Sequence, residues 1–158
     1  MTEIRRLAGD DWALLRDVRL AALTDAPYAF ASTVEREAAF DEWQWRGRLA
    51  SSSTTFAALG DGRPVGMVTG LPEESGDVHL VGMWVRAEVR GTSVAANLVW
   101  ALVSWARESE ARAVRLWVVS ANDRARRFYQ RLGFTSTGVR QQMPENPSIA
   151  EEQLRLTL

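Results

Sequence analysis

The sequence contains no cysteine, no lysine and a single histidine, His79. Without cysteine there can be no disulfide, no thiolate metal site and no cysteine nucleophile. Without lysine, a phosphate loop of the G-x-x-x-x-G-K type and a Schiff-base mechanism both fall away. The 19 basic residues are therefore all arginine. One imidazole cannot build a multi-histidine metal site, so no metal is expected. No stretch approaches the roughly 20 apolar residues of a membrane-spanning helix. The opening residues Met1–Leu7 carry charge with no apolar run behind them, so no signal peptide is expected. A strong overall charge is lacking too: a formal net charge of -1 creates no global field for nucleic acid or an anionic membrane. The expectation is a cytoplasmic protein that partners neither.

What is present suits one globular domain spanning 1–158, with 46% hydrophobic residues to fill a core. Residues 3–7 read as a short strand. Asp10-Asp11 is expected to cap an amphipathic helix with Trp12, Leu15, Val18 and Ala22 at helical spacing, ended by Asp25-Ala26-Pro27. A second helix is expected over about 32–49. Strands over 54–59 and 64–70 flank Gly60-Asp61-Gly62, a hairpin turn by its Asp-Gly content. Apolar runs at 78–85 and 113–119 read as buried strands, each feeding a helix, at about 92–109 and 122–132. Strands at about 134–140 and 153–158 complete the order βααβββαβαββ. This is an α/β pattern with a mixed sheet and no repeat or linker.

Two strand-to-helix segments carry the chemistry. In the first, Val85-Arg86-Ala87-Glu88-Val89-Arg90-Gly91-Thr92-Ser93-Val94-Ala95, a buried strand turns at Arg90-Gly91 and a helix opens at Thr92 or Ser93. The first amides of a helix lack internal partners, and the dipole favours an anion there. Gly91 permits close backbone approach and Arg90 adds a charge, so the segment suits a pyrophosphate, although a turn followed by an N-cap has the same composition. The second segment is Leu116-Trp117-Val118-Val119-Ser120-Ala121-Asn122-Asp123-Arg124-Ala125-Arg126-Arg127-Phe128-Tyr129-Gln130-Arg131-Leu132-Gly133-Phe134. Tyr129 shares a helical face with Ala125 and Leu132, which also fits simple core packing. Gly133 reads as the C-cap.

In this order and spacing, the two segments resemble the GNAT superfamily of N-acetyltransferases. The family's cofactor loop, Arg/Gln-x-x-Gly-x-Gly/Ala, is met by Arg90 and Ala95 and departs at Ser93. Its second signature is met by Asn122, Ala125, Phe128, Tyr129, Gly133 and Phe134. The resemblance implies a GNAT-like, mostly antiparallel sheet of six to seven strands, with helices on both faces and a splay between the fourth and fifth strands. It implies acetyl-CoA as co-substrate and an amine acceptor as partner. Backbone groups of Met83 and Val85 would pair with the pantetheine arm. The amides of Gly91, Thr92, Ser93, Val94 and Ala95, with Arg90, would hold the pyrophosphate, and Asn122 would bind pantetheine. Tyr129 would stand near the thioester sulfur, and Arg131 could reach a CoA phosphate.

Direct attack of an amine on a thioester needs no acyl-enzyme, which suits a chain without cysteine. It needs positioning, a backbone N–H for the developing oxyanion and an acid for the thiolate. Tyr129, with a reference pKa near 10, can be that acid. His79, at the start of the strand leading to the loop, is one candidate base, and Glu35 is another. A strand-end histidine and a surface carboxylate are the plain readings of those two residues. Gly91-Thr92-Ser93-Val94-Ala95 also approaches a nucleophile elbow, but the only histidine precedes the serine and the chain is short for that fold. A GNAT-fold module that senses acyl-CoA without efficient turnover is the alternative. The acceptor's identity is open, as is the oligomeric state, with which a homodimer is compatible.

Overall fold

The computed structural model describes residues 2–158. In chain order the strands are β1 (Thr2–Arg6), β2 (Thr54–Gly60), β3 (Arg63–Pro72), β4 (Val78–Val85), β5 (Ala113–Val119), β6 (Thr135–Met143) and β7 (Asn146–Thr157). The helices are α1 (Trp12–Asp25), α2 (Val34–Ala38), α3 (Glu42–Leu49), α4 (Val94–Glu108) and α5 (Asp123–Arg131). Seven strands follow the order β1-β2-β3-β4-β5-β7-β6. The β1-β2, β2-β3, β5-β7 and β6-β7 ladders are antiparallel, whereas β4-β5 is parallel. That parallel ladder registers Val78 with Val114 and His79 with Arg115. The mixed, mostly antiparallel α/β fold expected from the sequence is thus present.

The chain divides into two compact units. The first holds the residues up to Leu71 together with Val81–Trp105. Here β2 and β3 are joined by Asp61-Gly62, whose φ angles of 53° and 77° are those of a two-residue type I′ turn. Strand β2 is buried along six successive residues, so both of its faces are covered. On one face, Val18 and Ala22 of α1 pack with Met67 and Trp84, while Leu15 packs with Trp45, Ala57 and Leu59. Burial of each large apolar side chain is worth about 1.5–3 kcal/mol. Gly66 points the other way, as alternation along a strand requires. A Cβ there would lie 2.7 Å from Val85 Cγ1 and 3.1 Å from Leu98 Cδ1 of α4. Within this unit, α1 and the start of α4 therefore cover opposite faces.

The helix expected over 32–49 is two helices. Thr33 caps α2, its hydroxyl accepting from Arg36 N at 3.1 Å. Asp41 then opens α3 with a capping box, accepting from Gln44 N at 2.8 Å while Gln44 Oε1 accepts from Asp41 N at 2.9 Å. A cap of this kind draws the Asp41 backbone out of helical geometry, and the intervening residues form the break. Asp11 also differs from expectation. It accepts from Ala8 N at 2.8 Å and fixes the entry to α1, with no side-chain bond to the first turn of that helix.

The second unit comprises Pro72–Leu80 and Ala106–Leu158. Its β5 and β7 pair along seven registered positions, from Ala113 with Thr157 to Val119 with Glu151. Strands β6 and β7 are longer than the sequence suggested and meet at Met143 and Asn146. Their polar residues are mostly exposed, so no apolar period marked them. At the end of α5, Gly133 has φ +100° and Phe134 N reaches back to Tyr129 O at 3.1 Å, the expected left-handed C-cap.

Candidate functional site

In the first unit, β4 bends at Gly82, φ +61°, before Met83, Trp84 and Val85. The chain then makes a 3-10 turn at Ala87–Val89, passes Arg90 and turns at Gly91, φ +80°, where no atom stands within 4 Å of a built Cβ. Ser93 has no positive φ, and its carbonyl accepts the first helical bond from Asn97 N at 2.9 Å. It therefore occupies the cap position of α4, where serine is favoured, and the departure from glycine introduces no backbone strain. Thr92 donates its hydroxyl to Val89 O at 2.6 Å and accepts from Val94 N at 3.3 Å. Among the described residues, the amides of Gly91, Ser93, Ala95 and Ala96 have no protein acceptor. Four unpaired donors at the positive end of a fifteen-residue helix can hold an anion.

Arg90 is held from two sides. Its Nε donates to Val85 O at 3.2 Å and its Nη2 to Asp25 Oδ2 at 2.6 Å. The same Asp25 oxygen accepts from Trp84 Nε1 at 2.9 Å. Those hydrogen bonds, Trp84 first and then Arg90, hold the Asp25 carboxyl below the usual carboxylate range. The sequence offered Asp25 only as a helix stop. An available signal was a carboxylate in the last turn of a helix, where the dipole disfavours it unless a cation answers. Val85 contributes a carbonyl already used by Arg90, and Met83 is half-buried. A cleft in this unit is lined by Leu20, Ala21, Asp25, Trp84 and Glu88 among others.

Glu35 is exposed on α2. Two residues on, Glu37 is fully buried and bound by Arg19 Nε at 2.9 Å, Arg19 Nη2 at 3.1 Å and Arg48 Nη1 at 3.0 Å. Burial pushes this carboxyl up, but the hydrogen bonds from Arg19 and the charges of Arg19 and Arg48 outweigh it and leave it below its ordinary value. In the sequence, Glu37 stands beside Glu35, Asp41 and Glu42 with nothing to set it apart.

In the second unit, Asn122 caps α5 by accepting from Ala125 N at 3.1 Å, which leaves its side-chain NH₂ without a protein partner among the described residues. Tyr129 is buried, its ring edge-on to Phe128 at 5.0 Å and Phe134 at 5.6 Å. Its hydroxyl makes no hydrogen bond among the described residues. Burial raises the phenol pKa and keeps it protonated at neutral pH. Ser120 Oγ, at the end of β5, is sealed without a partner. On α5, Arg126 is tied to Asp123 and Glu152, whereas Arg131 is exposed.

His79 is half-buried and registers with Arg115, which is itself clamped by both carboxylate oxygens of Glu73. Burial first, then the Arg115 charge, lowers the imidazole pKa against the opposing pull of Glu73. The ring is therefore neutral at pH 7. The geometry brings Arg90–Ala95 together with the end of β4 and leaves Glu35 on the surface. Among the described residues no cluster of histidine, aspartate and glutamate could hold a metal ion, and no helix is long and apolar enough to cross a membrane.

A family model for the acetyltransferase (GNAT) family matches residues 17–134, spanning both strand-to-helix segments. This chain belongs to the GNAT family. An uncharacterized N-acetyltransferase of Mycobacterium bovis is 34% identical over 85 residues, as is one of Mycobacterium tuberculosis. That match covers 54% of this chain and 54% of either relative, so the chain spans about half the length of the curated relatives it matches. Among solved structures, a GNAT acetyltransferase of Streptococcus pneumoniae superposes with a TM-score of 0.81 at 20% identity, covering 100% of this chain and 99% of that one. The PaiA N-acetyltransferase of Thermoplasma acidophilum, solved with coenzyme A, superposes at 0.75 and 14% identity, covering 100% and 99%. At such identities these neighbours establish the shared GNAT fold alone.

Proposed function

We propose that this GNAT protein transfers the acetyl group of acetyl-CoA directly to a primary amine. The observation that carries the reading is the row of unpaired amides at the start of α4, with Arg90 fixed beside them. A helix N-terminus that presents several free donors and a positioned guanidinium suits a diphosphate. The free amides of Gly91, Ser93, Ala95 and Ala96, with Arg90, hold the pyrophosphate, backbone groups of Met83 and Val85 align the pantetheine arm, and the free NH₂ of Asn122 donates to it.

In the reaction the amine nitrogen bonds to the thioester carbon as the carbon–sulfur bond breaks. Tyr129, kept neutral by burial, gives its proton to the departing thiolate. His79, neutral at pH 7, accepts the proton that the amine loses, directly or through water. Both products leave neutral at the reacting atoms; Tyr129 then regains a proton and His79 releases one, through solvent, so the protein ends in its starting protonation state.

Calorimetry with acetyl-CoA, followed by thiol release in the presence of amines, tests the proposal. Binding that weakens about tenfold in Arg90→Gln, with amine-dependent release in the wild type, supports it. Tight binding without release for any amine would instead make the protein an acyl-CoA sensor.

A further inference from the structure

We propose that Arg19 is a specificity residue that anchors a carboxylate on the acceptor, so that the acceptor is an amino acid or another amine bearing a nearby carboxylate. This inference rests on the acetyl-transfer reading and adds the substrate class. Arg19 lies on α1 between Val18 and Ala22, the residues that pack against Met67 and Trp84. Its Nε and Nη2 form a two-point fork on Glu37, at 2.9 and 3.1 Å, which fixes the guanidinium plane. The ring of Phe30 covers it, 4.8 Å from Cζ. Among the described residues, Nη1 has no acceptor within hydrogen-bond reach.

That free edge faces β4. Arg19 Nη1 stands 3.9 Å from where a Cβ on Gly82 would lie, and Gly82 has none. The bare, bent backbone at this point leaves the guanidinium edge open, one residue before Met83, whose backbone the proposed function assigns to the acyl-carrying arm. Charge makes the same argument. Glu37 is bound by both Arg19 and Arg48, so the cluster carries two cations and one anion. A surplus positive charge, a side chain only 19% exposed and unused N–H groups together favour an incoming oxyanion. The same surplus disfavours a protonated amine unless the acceptor supplies a compensating carboxylate. It also lowers the pKa of a nearby amine, as attack requires.

The test compares matched acceptors: L-phenylalanine with phenethylamine, and L-leucine with isopentylamine. The readout is thiol release from acetyl-CoA, after calorimetry has established that acetyl-CoA binds. In the wild type the amino acid should exceed its carboxylate-free partner in kcat/KM by about 10- to 100-fold, the range of a hydrogen bond to a charged group. Arg19→Gln should erase that ratio, and Arg19→Lys, which keeps the charge but not the fork, should restore part of it. If Arg19→Gln does not fold, Arg19→Lys alone must still lower the ratio. A second readout needs no turnover: N-acetyl-L-phenylalanine should bind the CoA complex of the wild type more tightly than that of either variant. Equal kcat/KM for both members of each pair, or a ratio unmoved by the variants, overturns the carboxylate assignment while leaving acetyl transfer intact. Failure of acetyl-CoA to bind would overturn the underlying reading itself.

Discussion

Asp25 Oδ2 lies 2.6 Å from Arg90 Nη2, which places an anion directly behind the cation that serves the proposed pyrophosphate seat. The pair ties the end of α1 to the turn before α4 and partly neutralises Arg90 when no ligand is present. Asparagine at position 25 keeps an oxygen to accept from Trp84 and Arg90 but removes the charge. Asp25→Asn should therefore tighten acetyl-CoA binding a few-fold at low salt, an effect that shrinks as salt is added. Calorimetry at two ionic strengths checks this. Weaker binding in the variant would show that Asp25 matters for placing Arg90 rather than for opposing the ligand.

Tyr129→Phe retains the ring that packs on Phe128 and Phe134, so the fold should survive. If the hydroxyl protonates the thiolate, turnover should fall by about 10²–10⁴-fold with acetyl-CoA affinity little changed. Because burial raises the phenol pKa, the wild-type rate should hold up to high pH, with no falling limb from this residue below its ordinary value of 10.0. Near-normal single-turnover rates in the variant would remove Tyr129 from the chemistry.

A base must be unprotonated to act, and burial lowers the His79 pKa from 6.5. The rising limb of the rate should therefore lie below pH 6.5, with full activity above it, and His79→Ala should flatten that limb and lower the rate. Acceptors of different amine pKa separate this limb from the acceptor's own ionisation, because only the latter moves with the acceptor. An unchanged profile in His79→Ala would leave proton removal to water or another group.

Glu37→Gln leaves Arg19 and Arg48 without their shared carboxylate. Breaking a buried pair costs ~3–5 kcal/mol, and the 38% exposure of Arg48 places this case at the lower end, about 3 kcal/mol by denaturant unfolding. The wild-type contribution is present above the ordinary carboxyl pKa of 4.5 and is lost as pH falls through the lowered folded value. The stability gap between wild type and variant should therefore narrow in acid. A variant as stable as the wild type at pH 7 would show that the pair does not hold α2 in place.

The sequence revealed most where local chemistry dictates structure. Gly133, placed after the apolar face ending at Leu132, forms the positive-φ cap expected of it. Asp61-Gly62 makes the tight turn, and Ser93 fits because it caps α4. Long-range pairing was less visible. Nothing in the run around Asp25 indicates that its carboxylate meets Arg90, 65 residues away. Glu37 looks like a surface acid until α1 and α3 bring Arg19 and Arg48 against it. The break between α2 and α3 was readable from Asp41-x-x-Gln44, but the continuous run of helix formers masks it. The β6-β7 hairpin extends through polar residues because backbone pairing, not apolar periodicity, sustains it.

The most direct measurement of the central claim is the stoichiometry of thiol release and acetylated product when the protein is mixed with acetyl-CoA and excess amine. Direct transfer predicts one free CoA thiol per acetylated amine, a rate that depends on amine concentration, and no acetylated protein in the intact mass during turnover. Thiol release without acetylated amine, a stable acetyl adduct on the protein, or no release for any amine despite bound acetyl-CoA would contradict it.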